Sequence, residues 1–399
     1  MEQAELTALL TAQGLRMVDE IGPLATTGEV AAAVSRLRGA GHSPDLVSAV
    51  VGQARLRTRA AAKFGPFADR MLFTRAGLEQ ATRLEIAARH AARFRDAGLT
   101  RVADLGCGIG GDALGFAGIG LDVVAVDADE TTAALAAYNL APFGDAVTVR
   151  HGLAEDIDLS DVDAVWLDPA RRTAGHSETS RTSPEDWSPS LDWVFDLAAR
   201  MPVGVKLGPG LDRGLIPDDV EAQWISVDGS TIELVLWSGA LRRDGVRRSA
   251  LVVRAGAAHE ITAASDADDE PVRDLGTFVH EPEGAVIRAR LIGDVARELQ
   301  AGMLGEGIAY LTSDAALTSP FVQSFRVREA MPLKVPTINA ALRWNGIGTL
   351  EIKKRGVDVD PAQFRRKLTL KGDASATLIL TRVGEGKAAQ RLALLVDRV

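Results

Sequence analysis

The chain is predicted to be an α/β protein with an open, mainly parallel sheet at its centre, helices before it and a smaller α+β region after it. Three observations carry that prediction. The stretch from Val102 to Asp127, VADLGCGIGGDALGFAGIGLDVVAVD, reads as strand, glycine loop, helix and strand, which is half of a nucleotide-binding sheet. Short apolar runs alternating with helical patterns continue from there as far as Leu207. Towards the end the charge changes sign: residues 321–399 hold 15 Lys+Arg and 7 Asp+Glu, although the whole chain carries −9. A basic region behind an acidic one suggests a separate domain that delivers a polyanion.

At 399 residues the chain exceeds one ordinary domain. Its 46% hydrophobic and 25% charged residues describe a globular protein. No apolar run approaches the ~18 residues of a membrane span. The start, MEQAELTALL, lacks the basic region of a signal peptide. Cys107 is the single cysteine and cannot form an internal disulfide, so a cytoplasmic location without a membrane partner is expected.

Residues 1–75 read as a helical region. Ala4–Gln13 and Gly28–Leu37 are short helices, and Asp45–Arg59 carries Leu46, Val50 and Ala54 at helical spacing after Pro44. Phe64–Phe73 is interrupted by glycine and proline and is expected as a connector over the cofactor face. One long helix is expected over Gly77–Phe94, ahead of the first strand, Arg101–Leu105. A helix at Ala113–Ala117 and a strand at Leu121–Val126 follow, then a helix through Asn139 and the third strand, Val147–Arg150. Asp163–Leu167 is the fourth strand, Leu191–Arg200 a helix, and Pro202–Leu207 the fifth strand. Gln223–Val227 and Thr231–Trp237 form a close pair of strands, and a further strand pair occupies Arg242–Arg254.

The acidic stretch Ala263–Pro271 is read as a linker, which separates a central domain over 76–262 from a basic α+β domain over 272–399. The latter opens with a helix at Ile292–Gln300 and short strands over 308–328. Its tail alternates strand and helix: Pro336–Trp344 helix, Gly348–Lys353 strand, Pro361–Lys367 helix, then a hairpin of Ala376–Arg382 and Gln390–Asp397.

Gly106, Gly108 and Gly111 fit the G-x-G-x-x-G spacing, a weak signal taken alone, and a plain turn is the bland reading. Asp104, two residues before the first glycine, changes the chemistry. A dinucleotide brings its pyrophosphate to the helix N-terminus, where a fixed carboxylate is a liability. A sulfonium cofactor carries an ammonium group and a positive sulfur, which makes Asp104 a partner instead. Asp127 stands 23 residues further on, where an acidic side chain can accept both ribose hydroxyls.

Taken together, the D-x-G-x-G-x-G core and the following acid resemble motifs I and II of class I S-adenosylmethionine (SAM) methyltransferases. The resemblance covers residues from about 80 to 240 and implies a Rossmann-like class I methyltransferase sheet with SAM as its cofactor. It implies cofactor contacts from Asp104, Gly106, Cys107, Gly108, Gly110 and Asp112 in the loop, and from Asp127 and Ala128 after the second strand. Gly152-Leu153-Ala154-Glu155 stands where the family holds adenine, which assigns Ala154 and Glu155 to that ring; Leu153 replaces the commoner aspartate. Thr82, beside Gln80 and Ala81, is expected at the cofactor's methionine end, because helix N-termini favour carboxylates. The strand pair between Gln223 and Trp237 matches the antiparallel pair in which the family's sheet ends.

Asp163–Arg172, DAVWLDPARR, places a carboxylate and a proline at the C-terminal end of a strand, the edge where open parallel sheets bind ligands. It resembles motif IV of methyltransferases acting on amino groups or bases, where Asp/Asn-Pro-Pro-aromatic is typical. A carboxylate and a backbone carbonyl there orient the N–H groups of an amine so that its lone pair faces the methyl group. Asp168 and Pro169 are therefore the expected catalytic residues, with Pro169 rigid and without a competing donor. Ala170-Arg171 stands where Pro-aromatic is typical, so no ring is supplied at that position to stack a base. Arg171 and Arg172 are candidate contacts for a substrate phosphate or carboxylate, and Trp187 a candidate substitute stacker. Lys206, ending the fifth strand, is either a substrate contact or a side chain snorkelling outward.

Glu281-Pro282 and the stretch LKVPTINAALRWNGIGTLEIKKRG resemble the THUMP-like domain found after some bacterial methyltransferase domains. With the EQAT helix, GCGIGGD and LDPARR, the likeness covers nearly the whole chain. It implies an RNA methyltransferase, since true THUMP domains bind RNA, with Lys353, Lys354 and Arg355 as expected contacts to structured RNA such as tRNA or rRNA. The glycine loop also looks like that of the trimethylguanosine synthase family, whose site tryptophan motif is missing here.

The expected function is therefore SAM-dependent methylation of an amino group or base nitrogen of structured RNA by direct in-line transfer. Such transfer needs alignment but no nucleophile and no metal. Covalent C5-pyrimidine chemistry is disfavoured, since Cys107 lies in the cofactor loop and no other cysteine exists. The alternatives are a methyltransferase of a protein or small molecule, or a non-catalytic SAM- and RNA-binding protein. A nicotinamide reductase would need a Tyr/Lys or His constellation, and neither Tyr138 nor Tyr310 has a lysine at helical spacing.

Overall fold

The computed structural model describes residues 3–171 and 184–399. Contacts divide the chain into two units. The first holds the residues up to Leu207 together with Asp212–Asp218 and Leu236–Arg242; the second holds Gly208–Leu211, Asp219–Val235 and Arg243–Val399.

The first unit opens on α1 (Gln3–Leu9), α2 (Ala12–Ile21), α3 (Thr27–Gly39) and α4 (Pro44–Phe64). The helix expected over Ala4–Gln13 is divided, because the Thr11 hydroxyl accepts from the Gly14 N–H and starts α2 as its N-cap. Thr26 and Glu29 form a capping box on α3, and Ser43 with Pro44 starts α4. Leu46 and Val50 of α4 join Leu6, Leu9 and Val18 in one apolar cluster, while Val47 and Val51 join Leu24 and Ala33 in another. The longest helix of the region is thus the one the others pack around.

The single helix expected over Gly77–Phe94 is two, α5 (Arg75–Gln80) and α6 (Leu84–Asp96). Lys63 is the cause on one side: its Nζ lies 2.8 Å from the carbonyl oxygens of Leu78, Glu79 and Ala81 and satisfies the end of α5. At Ala81 the backbone leaves helical values (φ −57, ψ 137), which carries Thr82 into the interior before α6 begins.

The strands that follow are β1 (Arg101–Leu105), β2 (Asp122–Asp127), β3 (Val147–His151), β4 (Ala164–Leu167), the short β5 (Ala170–Arg171) and β6 (Trp187–Ser188), and β7 (Val203–Leu207). Between them lie α7 (Gly111–Gly118), α8 (Glu130–Leu140) and α9 (Leu191–Ala198). All pairings in the order β7-β4-β1-β2-β3 are parallel. The chain steps outward from β1 through β2 to β3, then returns to β1's other side with β4. The C-terminal ends of β1 and β4 therefore flank the point where strand order reverses, which is where such sheets bind ligands. Beneath that point Trp166, Trp237, Phe94, Phe116 and His90 stack together, with His90 and Trp166 ring centres 4.4 Å apart and Phe94 and Phe116 4.9 Å apart. Contacts of this kind add about 0.5–1.5 kcal/mol each beyond burial.

In the second unit β8 (Glu221–Val227) lies between β9 (Ser230–Trp237) and β10 (Arg248–Arg254), and β10 pairs antiparallel with β11 (Ala257–Ala263). The strand pair expected over Arg242–Arg254 is only one strand. Arg243 cannot extend it, because both its backbone N–H and its guanidinium are bound to the buried Glu221.

The remaining elements are β12 (Phe278–Pro282), α10 (Gly284–Ala289), α11 (Ile292–Glu298), β13 (Gly302–Gly305), β14 (Ile308–Ser313), β15 (Val322–Pro332), α12 (Val335–Trp344), β16 (Ile347–Arg355), α13 (Pro361–Arg365), β17 (Ala374–Val383) and β18 (Gln390–Arg398). Their sheet runs β13-β14-β12-β15-β18-β17-β16. Alternate residues serve its two faces, as strand geometry requires. Leu378, Leu380, Ala393 and Leu395 pack with Ile338 and Leu342 of α12, while Ile379, Leu394 and Val396 pack with Phe325 and Tyr310. The strand–helix–strand tail and its closing hairpin match the sequence reading, with β16 and β17 parallel across α13. No helix among the described residues is long and apolar enough to cross a membrane.

Candidate cofactor and acceptor site

The glycine loop leaves β1 by folding back on β2. The N–H groups of Gly106 and Cys107 both donate to the Val126 carbonyl at 2.9 Å. Gly106 sits at φ +86, and a Cβ there would come within 2.9 Å of the Asp168 carbonyl oxygen, so only glycine allows this approach. Across the loop, the Asp127 carboxylate accepts from the N–H of Gly108 and of Asp129, both at 2.9 Å. Burial raises its pKa while those two bonds lower it, and burial prevails. The segment expected at adenine is tied to the same place, since the Gly152 N–H donates to the Asp127 carbonyl. Leu153 projects outward there at 52% exposure, Glu155 is exposed, and the Ala128 carbonyl lies 3.1 Å from His151 Nε2.

Asp104 is the unusual member of the site. It is only 1% exposed, and neither carboxylate oxygen has a hydrogen-bond partner among the described residues. Burial pushes its pKa well up, the nearby Asp112 and Asp168 push the same way, and Lys206 opposes them. An unpaired buried carboxylate costs stability unless a ligand meets it.

Lys206 at the end of β7 links the neighbouring acids. Its Nζ lies 2.6 Å from Asp168 Oδ2, 2.8 Å from Thr82 Oγ1 and 3.6 Å from Asp112 Oδ2. Thr82 donates to Asp112 at 2.7 Å, and His90 Nδ1 stands 2.8 Å from the other Asp112 oxygen. Burial opposes ionisation of Asp112, but the Lys206 charge and the bonds from His90 and Thr82 outweigh it and hold the carboxyl well below its usual range. Asp168 differs from Asp112 in keeping 37% of its side chain exposed, and Pro169 beside it is buried. The sequence reading left Lys206 between substrate contact and outward snorkelling. It turns inward, with 10% of its side chain exposed.

Cys107 is buried, and burial with the charges of Asp104 and Asp127 raises its thiol well above the usual value. That disfavours the thiolate a nucleophile needs. Gly110, at φ +87, caps α7, and Asp112 occupies the first turn of that helix. Trp187, expected as a stacker, is buried in β6 opposite Arg171 and cannot present its ring. Arg172 lies outside the described residues. In the second unit the expected cations divide: Lys353 Nζ is 2.6 Å from Glu281, the Arg355 guanidinium lies 5.3 Å over the Tyr310 ring, and Lys354 is exposed.

Two curated proteins of Mycobacterium tuberculosis, one of them from strain CDC 1551, are uncharacterised S-adenosylmethionine-dependent methyltransferases. Each is 33% identical over 340 residues, spanning 83% of this chain and 91% of its own length. The chain belongs to this family of SAM-dependent methyltransferases. A THUMP domain-like family model matches residues 322–398, and a domain of unknown function, DUF8688, matches residues 2–60. A crystal structure of a candidate methyltransferase from Porphyromonas gingivalis shares the fold at a TM-score of 0.71. It is 18% identical and covers 94% of this chain and 100% of its own.

SAM is thus the cofactor of a methyltransferase whose loop fits it. Asp104 offers an unpartnered buried carboxylate for an ammonium, and Asp127 presents a carboxylate at the loop's far side. Sequence reading passed over His90 and Asn139. Asn139 holds the Leu72 backbone at both its N–H and carbonyl and donates to the Ile109 carbonyl at 2.9 Å, bracing the loop from below. Only pairing across 22 or more residues marks their roles, and local pattern carries no signal of that.

Proposed function

We propose that this methyltransferase transfers a methyl group to an amino group or base nitrogen of structured RNA. SAM would supply the electrophilic methyl group, its sulfur keeping the S–C bonding pair and leaving as a neutral thioether. One observation supports the acceptor assignment above others: Asp168 is fixed by Lys206 at the strand end beside Gly106, yet its carboxylate remains partly open. A carboxylate that is positioned and yet partly exposed can accept an N–H of the acceptor, turning the nitrogen lone pair towards the donor. As the N–C bond forms, that N–H proton passes to the carboxylate or to water. The buried, neutral Cys107 argues against covalent chemistry through sulfur. The cofactor contacts assigned to Thr82, Asp104, Asp127 and residues 152–155 belong to this reading.

RNA as the acceptor is supported by the charge of residues 321–399 and by the THUMP domain-like match over much the same segment. The reading is tested by comparing modified nucleosides of total tRNA and rRNA from deletion and parent strains by mass spectrometry. One methylated nucleoside missing from the deletion strain and restored by the wild-type chain, but not by Asp168→Ala, is expected. Unchanged nucleosides in both RNA classes would move the acceptor to a protein or small molecule.

A further inference from the structure

Trp344, in the last turn of α12, is 90% exposed, while the tryptophans Trp166, Trp187, Trp224 and Trp237 are buried. Around it the cations differ from those on β16. Lys353 is committed to Glu281 and Glu351. By contrast Arg343, Arg366, Lys367 and Lys371 are exposed and form no ion pair among the described residues. The backbone brings them to the same edge. The Lys371 N–H donates to the Ile347 carbonyl and the Ala374 N–H to the Gly346 carbonyl, so Lys371 runs alongside the turn that follows Trp344. Asn339, five positions before Trp344, holds the carbonyl of Lys367 and the N–H of Thr369. Asp373 is the acidic residue of this edge, and it too is exposed.

The edge is stiff. A Cβ on Gly348 would meet the Gly372 carbonyl oxygen at 1.8 Å, and one on Gly372 would meet that of Gly346 at 2.0 Å. Backbone packs on backbone there, which holds the end of α12 in place. We propose that Trp344 is a stacking platform for an unpaired base of RNA, with Arg343, Lys371 and the Arg366–Lys367 pair drawing in the flanking phosphates. This rests on the RNA reading above and names where such RNA would be gripped. An exposed indole with exposed, unpaired cations on the neighbouring backbone matches the chemistry of single-stranded nucleic acid, whose bases offer a π-face and whose backbone is anionic. A protein partner fits less well. The α12 neighbours exposed with Trp344 are the small Thr337 and Ala340, and one indole falls far short of the ~1,000 Å² of a stable interface.

The test uses the full chain, an unstructured oligoadenylate and a fully paired RNA duplex of equal length. Tryptophan emission should be quenched by the oligoadenylate, and Trp344→Ala should weaken its binding roughly 10- to 100-fold with SAM affinity unchanged. Trp344→Phe should retain most of the affinity, and Arg343→Glu with Lys371→Glu should lower both the affinity and its salt dependence. The duplex should bind the wild type and Trp344→Ala alike. Oligoadenylate binding by Trp344→Ala within threefold of wild type overturns the platform. If the duplex still binds in a salt-dependent way, the RNA reading survives that result. Failure of both probes removes the two together. A change of oligomeric state in Trp344→Ala without any change in RNA binding would assign the ring to self-association and also overturn the platform.

Discussion

Lys206 Nζ and Asp168 Oδ2 are 2.6 Å apart, which joins a buried lysine of one strand to the partly open carboxylate at the end of its neighbour. Lys206 also faces Asp112 and Thr82, so one cation serves both the buried Asp112 and the acid assigned to the acceptor. The two acids should respond differently to substitution.

Asp168→Ala is expected to bind SAM and to lose roughly 10²-fold or more in transfer rate, the usual contribution of a positioned acid or base. Calorimetry with SAM and tritium transfer to total RNA from the deletion strain separate the two effects. Lys206→Met should act on the fold as well, since it strands the buried Asp112 without its cation. Breaking a buried pair from one side costs about 3–5 kcal/mol, and urea unfolding reads it.

Asp104 gives an inverted expectation. Its folded-state pKa lies above its unfolded one, so the SAM-free chain is most stable while the group is protonated. That contribution is lost as pH rises from the ordinary carboxylate range through the raised folded value. SAM affinity should rise over the same interval as the ammonium meets an ionised partner. Asp104→Asn should therefore melt higher than wild type without SAM at neutral pH, and show little gain when SAM is added. Thermal scans with and without SAM at several pH values check both halves.

Asp127 should contribute to the cofactor through charged hydrogen bonds, on the order of 1.5–3 kcal/mol. Asp127→Ala also releases the Gly108 and Asp129 N–H groups that it accepts from. Asp127→Asn keeps one acceptor oxygen and should lose less. Titration calorimetry with SAM and with its demethylated product distinguishes the variants.

His280 sets an acid limit on the second unit. It is fully buried between Ser324 and Ser313, and burial lowers its pKa to about 4. The unfolded chain binds this proton near the ordinary histidine value and the folded chain does not until about pH 4. Stability should therefore fall as pH drops through that window. His280→Gln, which can still bond both hydroxyls, should flatten the slope in urea unfolding measured across it.

Much of the fold was legible locally. The strand–loop–helix–strand unit from Val102 to Asp127 and the alternation after residue 335 each depend on short-range periodicity and on glycines. The readings that failed depended on a distant partner. The helix over Gly77–Phe94 was broken by Lys63, whose amine caps three carbonyls from another helix. The strand pair over Arg242–Arg254 was reduced to one by the bond of Arg243 to Glu221. Trp187 looked available to a base until its burial in β6.

The sequence by itself determined the acids and glycines of the cofactor loop, because a D-x-G-x-G-x-G core and a following acid define a chemistry through spacing along one strand–turn–helix. It also determined the basic character of the end of the chain, because charge is a property of composition. Only the tertiary structure decided which charges are free. Among the described residues it turned Lys206 inward to Asp168 and Asp112, left Asp104 without a hydrogen-bond partner, bound Lys353 to Glu281, and left Arg343 and Lys371 without an ion pair beside an exposed Trp344. Whether a charge is available depends on the side chain that meets it in space, and partners from other strands and helices have no fixed spacing in the chain.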